Sequence, residues 1–138
     1  MTYVREMLET HPRGAAIGPA SLVACIEACL DCSQACTACA DACVGETMVQ
    51  QMTQCIRLCL DCTDVCLATG ALASRRTGSN ARLLANMLQV CEDACATCAR
   101  ECERWAPQME HCRISAEACH MCESACRMAA GAMTPTLQ

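Results

Sequence analysis

The sequence predicts an all-α protein: an antiparallel up-down-up-down four-helix bundle preceded by a short N-terminal helix. Three observations carry this. Cys25, Cys29, Cys32, Cys36, Cys39 and Cys43 follow one another at intervals of 4, 3, 4, 3 and 4, which at roughly 100° per residue places all six sulfurs on one helix face. The same rhythm returns three more times, each time after a short break in the pattern. Strand alternation fits none of these stretches, because a period of two would scatter the thiols over both faces.

Residues 2–10 suit a short helix with Tyr3, Val4, Met7 and Leu8 on one side, ended by Pro12 and Gly14, with His11 exposed in the following loop. Gly18 and Pro19 signal the start of the first long helix, which is expected to stop at Gly45 after Val44. Its outer face carries Glu27, Asp31, Gln34 and Asp41, so the segment is amphipathic with cysteine as its apolar component. Thr47 and Gln50 have capping-box spacing, and the second helix continues as Met48, Met52, Cys55, Cys59, Cys62, Cys66, Thr69 and Ala73. Thr77, Gly78, Ser79 and Asn80 break the chain and offer a cap for the third helix. That helix carries Leu84, Leu88, Cys91, Cys95, Cys98, Cys102 and Trp105. Ala106 and Pro107 mark the next start, and the fourth helix carries Cys112, Ser115, Cys119, Cys122, Cys126, Ala129 and Met133. The expected division is a short helix and linker over 1–17, the bundle over 18–133 and a frayed polar tail over 134–138. Short turns make sequence neighbours antiparallel, and the seven-residue repeat keeps the seam facing inward.

A chain of 138 residues is one ordinary domain with one core. That core is unusual: Phe is absent, Trp and Tyr occur once each, and 18 residues are Cys. A free thiol is a small hydrophobe that removes less apolar area from water than Leu does, so such a core gives up stability and calls for a chemical reason. Met1 to Gly14 has charges at Arg5, Glu6, Glu9 and Arg13 and no apolar run of signal-peptide length. No later segment reads as about 18 uncharged apolar residues, so a membrane span is not expected. These features place the chain in a reducing cytoplasm, where cysteine density points away from a disulfide scaffold. A net charge of -5, with ten Arg and no Lys, gives no basic patch and argues against nucleic acid.

Three uses compete for such a thiol column. Packing alone explains an isolated buried Cys, not 18 in register on four helices. Disulfides would pair ambiguously among the neighbouring thiols of each layer. Metal remains, and charge selects among metals. Zinc held by four thiolates carries about -2 per site and would need buried cations. Cu(I) is soft, accepts two or three thiolates and reaches about one ion per thiolate, which is neutral. Iron–sulfur ligands usually lie on loops that wrap a cluster, and CxxxC on a continuous helix suits them poorly. The three His are scattered and no carboxylate lies on the seam, so no catalysis is expected. A general soft-metal sink for zinc, cadmium or silver, and a thiol-redox or iron–sulfur protein, stand as the alternatives.

The repeated CxxxCxxCxxxC blocks, Cys25 to Cys36, Cys32 to Cys43, Cys55 to Cys66 and Cys91 to Cys102, with Cys119, Cys122 and Cys126, resemble the bacterial copper storage proteins, in particular their cytosolic branch. The resemblance spans about residues 18–130. It implies a homotetramer of four-helix bundles that binds many Cu(I) ions inside through CxxxC thiolates and loads through one open end. The fourth helix departs from the block pattern, since Cys112 is followed by a gap of seven that contains Ser115.

Antiparallel connection also sorts the two ends. Cys43, Met48, Met52, Cys102, Trp105, Met109, His111 and Cys112 gather at one end, whereas Leu22, Ala73, Leu84 and Leu88 form a hydrocarbon plug at the other. Copper is expected to load at the first end, with Met48, Met52 and His111 as weaker ligands that pass it to the thiolates. Met109 lies further round its helix, His120 is expected on the surface, and Trp105 is expected to pack at the mouth. A second apolar stripe accompanies the seam: Val23, Ile26 and Leu30; Ile56, Leu60 and Leu67; Leu83, Met87 and Val90; Ile114, Met121 and Met128. It either widens the core face or forms a subunit interface.

Overall fold

Four long stretches with a 4/3 cysteine rhythm become four long helices. The computed structural model describes residues 2–12 and 20–137, with side chains as far as Met133. Helix α1 is Val4–Glu9, α2 Ala20–Val44, α3 Thr53–Ser74, α4 Ala81–Trp105 and α5 Glu110–Leu137, with one 3₁₀ turn at Val49–Gln51 before α3. There is no strand among the described residues. Helix α2 packs on α3 and α5, and α4 packs on α3 and α5, which closes a four-membered ring. The turns 45–52 and 106–109 lie at one end of the ring and the turn 75–80 at the other.

The helix termini depart from expectation in instructive ways. The Gly18 and Pro19 start signal and Gly14 lie outside the described residues. Helix α2 ends at Val44 as expected, but Gly45 is not in the left-handed region. Instead its N–H reaches back to the carbonyls of Asp41 and Ala42, at 3.3 and 3.0 Å, and the chain tightens into the turn. The Thr47/Gln50 capping box does not form, because the 3₁₀ turn delays α3 to Thr53, and Met52 occupies the N-cap position without a side-chain cap. Asn80 does stand at the N-cap of α4, yet its amide points backward and donates to the Leu72 carbonyl at 3.1 Å. It ties α4 to the end of α3 rather than capping its own helix. Gly78, with φ 77°, supplies the left-handed residue that this turn needs. Pro107 falls inside the turn, and α5 starts three residues later at Glu110. The last helix continues past Met133 to Leu137, beyond the expected boundary.

Helix α1 uses only one edge. Leu8 is buried and Val4 packs against the core, as an i, i+4 pair must, while Tyr3 and Met7 face solvent. A six-residue helix presents too narrow a face to bury all four side chains. Leu8, Leu22, Ala73, Leu84 and Leu88 belong to the buried core, so the hydrocarbon plug is present. In α3, Thr69 closes the cysteine seam below the plug, its hydroxyl donating to the Val65 carbonyl at 2.7 Å. His11, expected to be exposed, is half-buried, its Nε2 3.3 Å from the Thr77 hydroxyl at the plugged end.

Helix α2 is long and apolar enough to cross a membrane by length and mean hydropathy, contrary to the expectation that no segment reaches that threshold. The cysteines raise its hydropathy, and half of the stretch is buried inside the bundle. Its apolar face is therefore already occupied by the other three helices.

The second stripe mostly stays outside the core. Val23 and Ile26 are buried, but Leu30, Leu60, Leu67, Leu83, Val90, Ile114, Met121 and Met128 are exposed. An axis filled by sulfur leaves no room for them, so the wide-core reading holds for Val23 and Ile26 of α2 and in part for Ile56 of α3, which packs against the core while half-buried.

Leu88 is fully buried in the plug, so Leu88→Ala should destabilise the metal-free protein by about 2–5 kcal/mol. Urea unfolding followed by circular dichroism measures this, and an unchanged midpoint would show that the plug does not carry the fold.

Candidate metal centre

Each long helix turns its cysteines to the axis for the reason read from the sequence: residues three and four apart share a face. All eighteen cysteines are free and buried. Seventeen have 0% exposure and Cys39 has 2%. The nearest sulfurs, Cys36 and Cys119, are 3.5 Å apart. Cys32 lies 3.8 Å from each of Cys36, Cys62 and Cys119, so a single layer draws thiols from α2, α3 and α5. Farther in, Cys66 lies 3.8 Å from Cys91 and Cys95 and 3.9 Å from Cys122. Such spacings are van der Waals contacts, well short of the S–S bond. They also let one soft ion bind sulfurs from two helices with little backbone movement.

Five sets of side chains bring their ligand atoms within 4.8 Å of one another. The deepest is Cys29, Cys91, Cys122 and Cys126, followed by Cys32, Cys66, Cys95 and Cys122, then Cys32, Cys36, Cys62 and Cys119. Nearer the mouth are Cys39, Cys59 and Cys102, and the outermost set is Cys39, Cys43, His111 and Cys112. Shared members make these sets overlap, as bridging ligands require. The donors are sulfur with a single imidazole, which suits a soft monovalent ion and gives no carboxylate site for a hard one.

In the metal-free column the thiols share protons. Burial pushes the Cys43 thiol up to about 11, helped by the neighbouring Cys39. At the plugged end the hydrogen bond from Cys126 holds Cys25 down to about 5. Cys126 is itself raised, by its hydrogen bonds to Cys122 and then Cys25. Thiolate character on one sulfur is thus supported by S–H groups beside it, and the neighbours keep their protons.

The mouth collects the residues expected there, with differences in depth. His111, in the first turn of α5, places Nδ1 3.4 Å from Cys39 and 3.6 Å from Cys112. Its Nε2 is buried without a hydrogen bond and lies 3.6 Å from the Glu46 carboxylate. Met52 is fully buried, whereas Met48 lies in the turn ahead of α3 and is 37% exposed. The helical lattice of α3 therefore begins with Met52, and Met48 stands outside it. Met109, read as further round its helix, is buried. Its N–H bonds to the Trp105 carbonyl at 2.9 Å, which folds the turn back over the mouth. His120 is on the surface as expected, paired with Glu103 and Glu123, and its imidazole is raised, chiefly by the Glu103 hydrogen bond.

Sequence reasoning missed one support. Glu101 is a nearly buried carboxylate that accepts from the Trp105 indole N–H at 3.1 Å and from Arg104 at 2.8 and 3.1 Å. The pair holds Trp105 in the seam position after Cys102. The i, i+4 spacing of Glu101 and Trp105 was the available signal.

Residues 19–131 match the copper storage protein family. The copper storage protein Ccsp from Streptomyces lividans, in a structure loaded with 10 copper equivalents, is 48% identical; the match covers 94% of this chain and 98% of that one, with a TM-score of 0.89. A structure of the cytosolic copper storage protein from the same organism with five coppers is 51% identical, covering 80% of this chain and 92% of that one, with a TM-score of 0.79. No match to a curated protein is found. With its cysteine column on four helices and this match over most of its length, the chain belongs to the copper storage protein family.

Proposed function

We propose that the protein stores and sequesters many Cu(I) ions along the axis of its bundle. The observation that carries this is the column itself: eighteen buried thiols in contact across all four helices, with no buried Arg among the described residues. Each Cu(I) that replaces a thiol proton leaves the local charge unchanged, so the whole axis can fill. Four-thiolate zinc sites would accumulate negative charge with nothing buried to offset it. Storage rather than turnover is the role proposed, in line with the copper storage family that residues 19–131 match.

The loading route proposed is the mouth formed by Met48, Met52 and His111. His111 is in reach of Cys39 and Cys112, so an ion taken by imidazole has thiolates beside it for the next step. Met48 is the exposed member of the set and is suited to first capture. The cytoplasm is the proposed compartment, consistent with free thiols and with a relative described as cytosolic. A homotetramer is the proposed assembly, as the family resemblance implies; the exposed apolar stripe on α2, α3, α4 and α5 supports an interface between copies without setting their number.

Anaerobic titration of the reduced protein with Cu(I) against a competing chelator should count close to one tightly held ion per thiol, near 18 per chain. A count of only a few would replace storage by discrete sites. Replacing Met48 and His111 with Ala should slow loading several-fold in stopped-flow mixing and change capacity little; an unchanged rate would remove the mouth as the route.

The pH dependence follows from the neutral thiols. Cys43 keeps its proton until about pH 11, so copper must displace it throughout the neutral range. Affinity at the outer set should therefore rise with pH, with protons released on loading in weakly buffered solution. The sign for stability is opposite. A raised thiol supports the metal-free fold fully below its ordinary value of 9.0, and that support is lost as pH rises towards 11. Denaturant midpoints of metal-free protein measured from pH 7 to 11 check this.

A further inference from the structure

One nitrogen at the mouth has no hydrogen bond. His111 turns Nδ1 to sulfur, 3.4 Å from Cys39 and 3.6 Å from Cys112, and joins Cys39, Cys43 and Cys112 in the outermost set. Its Nε2 is shut off from water and has no hydrogen-bond partner among the described residues. A buried polar nitrogen calls for one. The group placed to serve is the Glu46 carboxylate, 3.6 Å from Nε2. Glu46 follows Cys43 by three residues, in the turn that leaves α2, and its side chain is half-buried. Its N–H donates to the Cys43 carbonyl at 3.1 Å, and its own carbonyl accepts from the Val49 N–H at 3.2 Å, so its backbone is held on both sides. The carboxylate is not a member of the outermost set, and a hard anionic oxygen suits Cu(I) poorly. Its place beside His111 is therefore not that of a ligand.

We propose, on the reading that the outermost set takes up Cu(I), that Glu46 is a positioning residue: it holds His111 in the tautomer with the proton on Nε2 and the lone pair on Nδ1, aimed at the thiols. A neutral imidazole has one N–H and one lone pair, and only the nitrogen without the proton can bind a metal. With the proton on Nδ1, the Nε2 lone pair would face a carboxylate across 3.6 Å, two acceptors with no hydrogen between them. With the proton on Nε2, a small closure of that gap makes a charge-assisted hydrogen bond, and Nδ1 is left to accept the S–H of Cys39 or Cys112. Cu(I) entering the set displaces a thiol proton to solvent, and the Nδ1 lone pair already points to the sulfur that lost it. A carboxylate on the far nitrogen of a ligating imidazole fixes the ring and raises its basicity. Glu46 thus acts through His111 without touching the ion.

The test compares wild type with Glu46→Ala and Glu46→Gln. Full-length protein labelled with 15N at histidine, reduced and metal-free, is studied by NMR in mildly alkaline solution, where an ordinary imidazole is neutral. The His111 signals are assigned by their loss in His111→Ala. Wild type should show the proton on Nε2 and an unprotonated Nδ1. Glu46→Ala should move His111 towards the Nδ1–H form and slow Cu(I) uptake in anaerobic stopped-flow mixing by about 10-fold. Glu46→Gln keeps a carbonyl acceptor for Nε2–H, so it should restore the wild-type tautomer and most of the rate. An Nδ1–H tautomer in wild type, an unchanged tautomer in Glu46→Ala, or a Glu46→Gln protein as impaired as Glu46→Ala would each overturn the assignment. The wild-type spectrum decides by itself even where a variant fails to fold. Because the tautomer is read without copper, failure of the storage reading shows separately, as a low ion count in the Cu(I) titration.

Discussion

Burial of a sulfur column away from water makes net charge along the axis the quantity that this fold must control. A thiol is neutral and a thiolate is not, and an isolated buried anion costs several kcal/mol even after relaxation. The metal-free protein meets the constraint by leaving protons on most of its thiols and sharing them through contacts of 3.5–4.0 Å. Copper meets it by exchanging one positive charge for another. The same neutrality accounts for what is missing from the core: among the described residues no Arg is buried.

A core selected for metal is a weak hydrocarbon core, so the fold divides the work along its length. Leu8, Leu22, Leu84 and Leu88 concentrate the large aliphatic side chains at one end, and α1 adds Leu8 as a lid over them. Burying a side chain of this size stabilises by about 1.5–3 kcal/mol, more than a thiol gives. The remaining layers are thereby free to be sulfur on every helix. Surface ion pairs keep charge on the outside, Arg127 linking α5 to α4 through Glu92 and pairing within α5 with Glu123, but they contribute little individually.

The seam was legible because it depends only on helical period, and period is a property of sequence. Four helices, the inward face, the plug and the soft-ligand end all followed from intervals of three and four. The termini were not legible in the same way. Thr47 and Gln50 have the right spacing for a capping box, but the chain first spends a 3₁₀ turn crossing from α2 to α3, so local spacing yielded to the geometry of the connection. Asn80 shows the same competition, its amide satisfying a carbonyl of the preceding helix instead of its own amides. Burial of Met109, exposure of Met48 and the Glu101 brace on Trp105 depend on how two turns fold over the mouth, which periodicity does not describe.

The two ends of the axis differ in chemistry for a reason that links stability to access. A mouth sealed with leucine would add stability and stop exchange, whereas a mouth open on both ends would leave thiolates accessible to oxidants. The protein instead places the half-buried His111 and the buried thioethers of Met52 and Met109 near where two turns meet, and braces Trp105 through Glu101. Met109 and Trp105 are buried at the turn that precedes α5, and the one nitrogen donor of the outermost set stays within reach of Cys39 and Cys112. On the proposed route, imidazole and thioether hold the ion more weakly than shared thiolates do, so uptake runs from the outermost set inward.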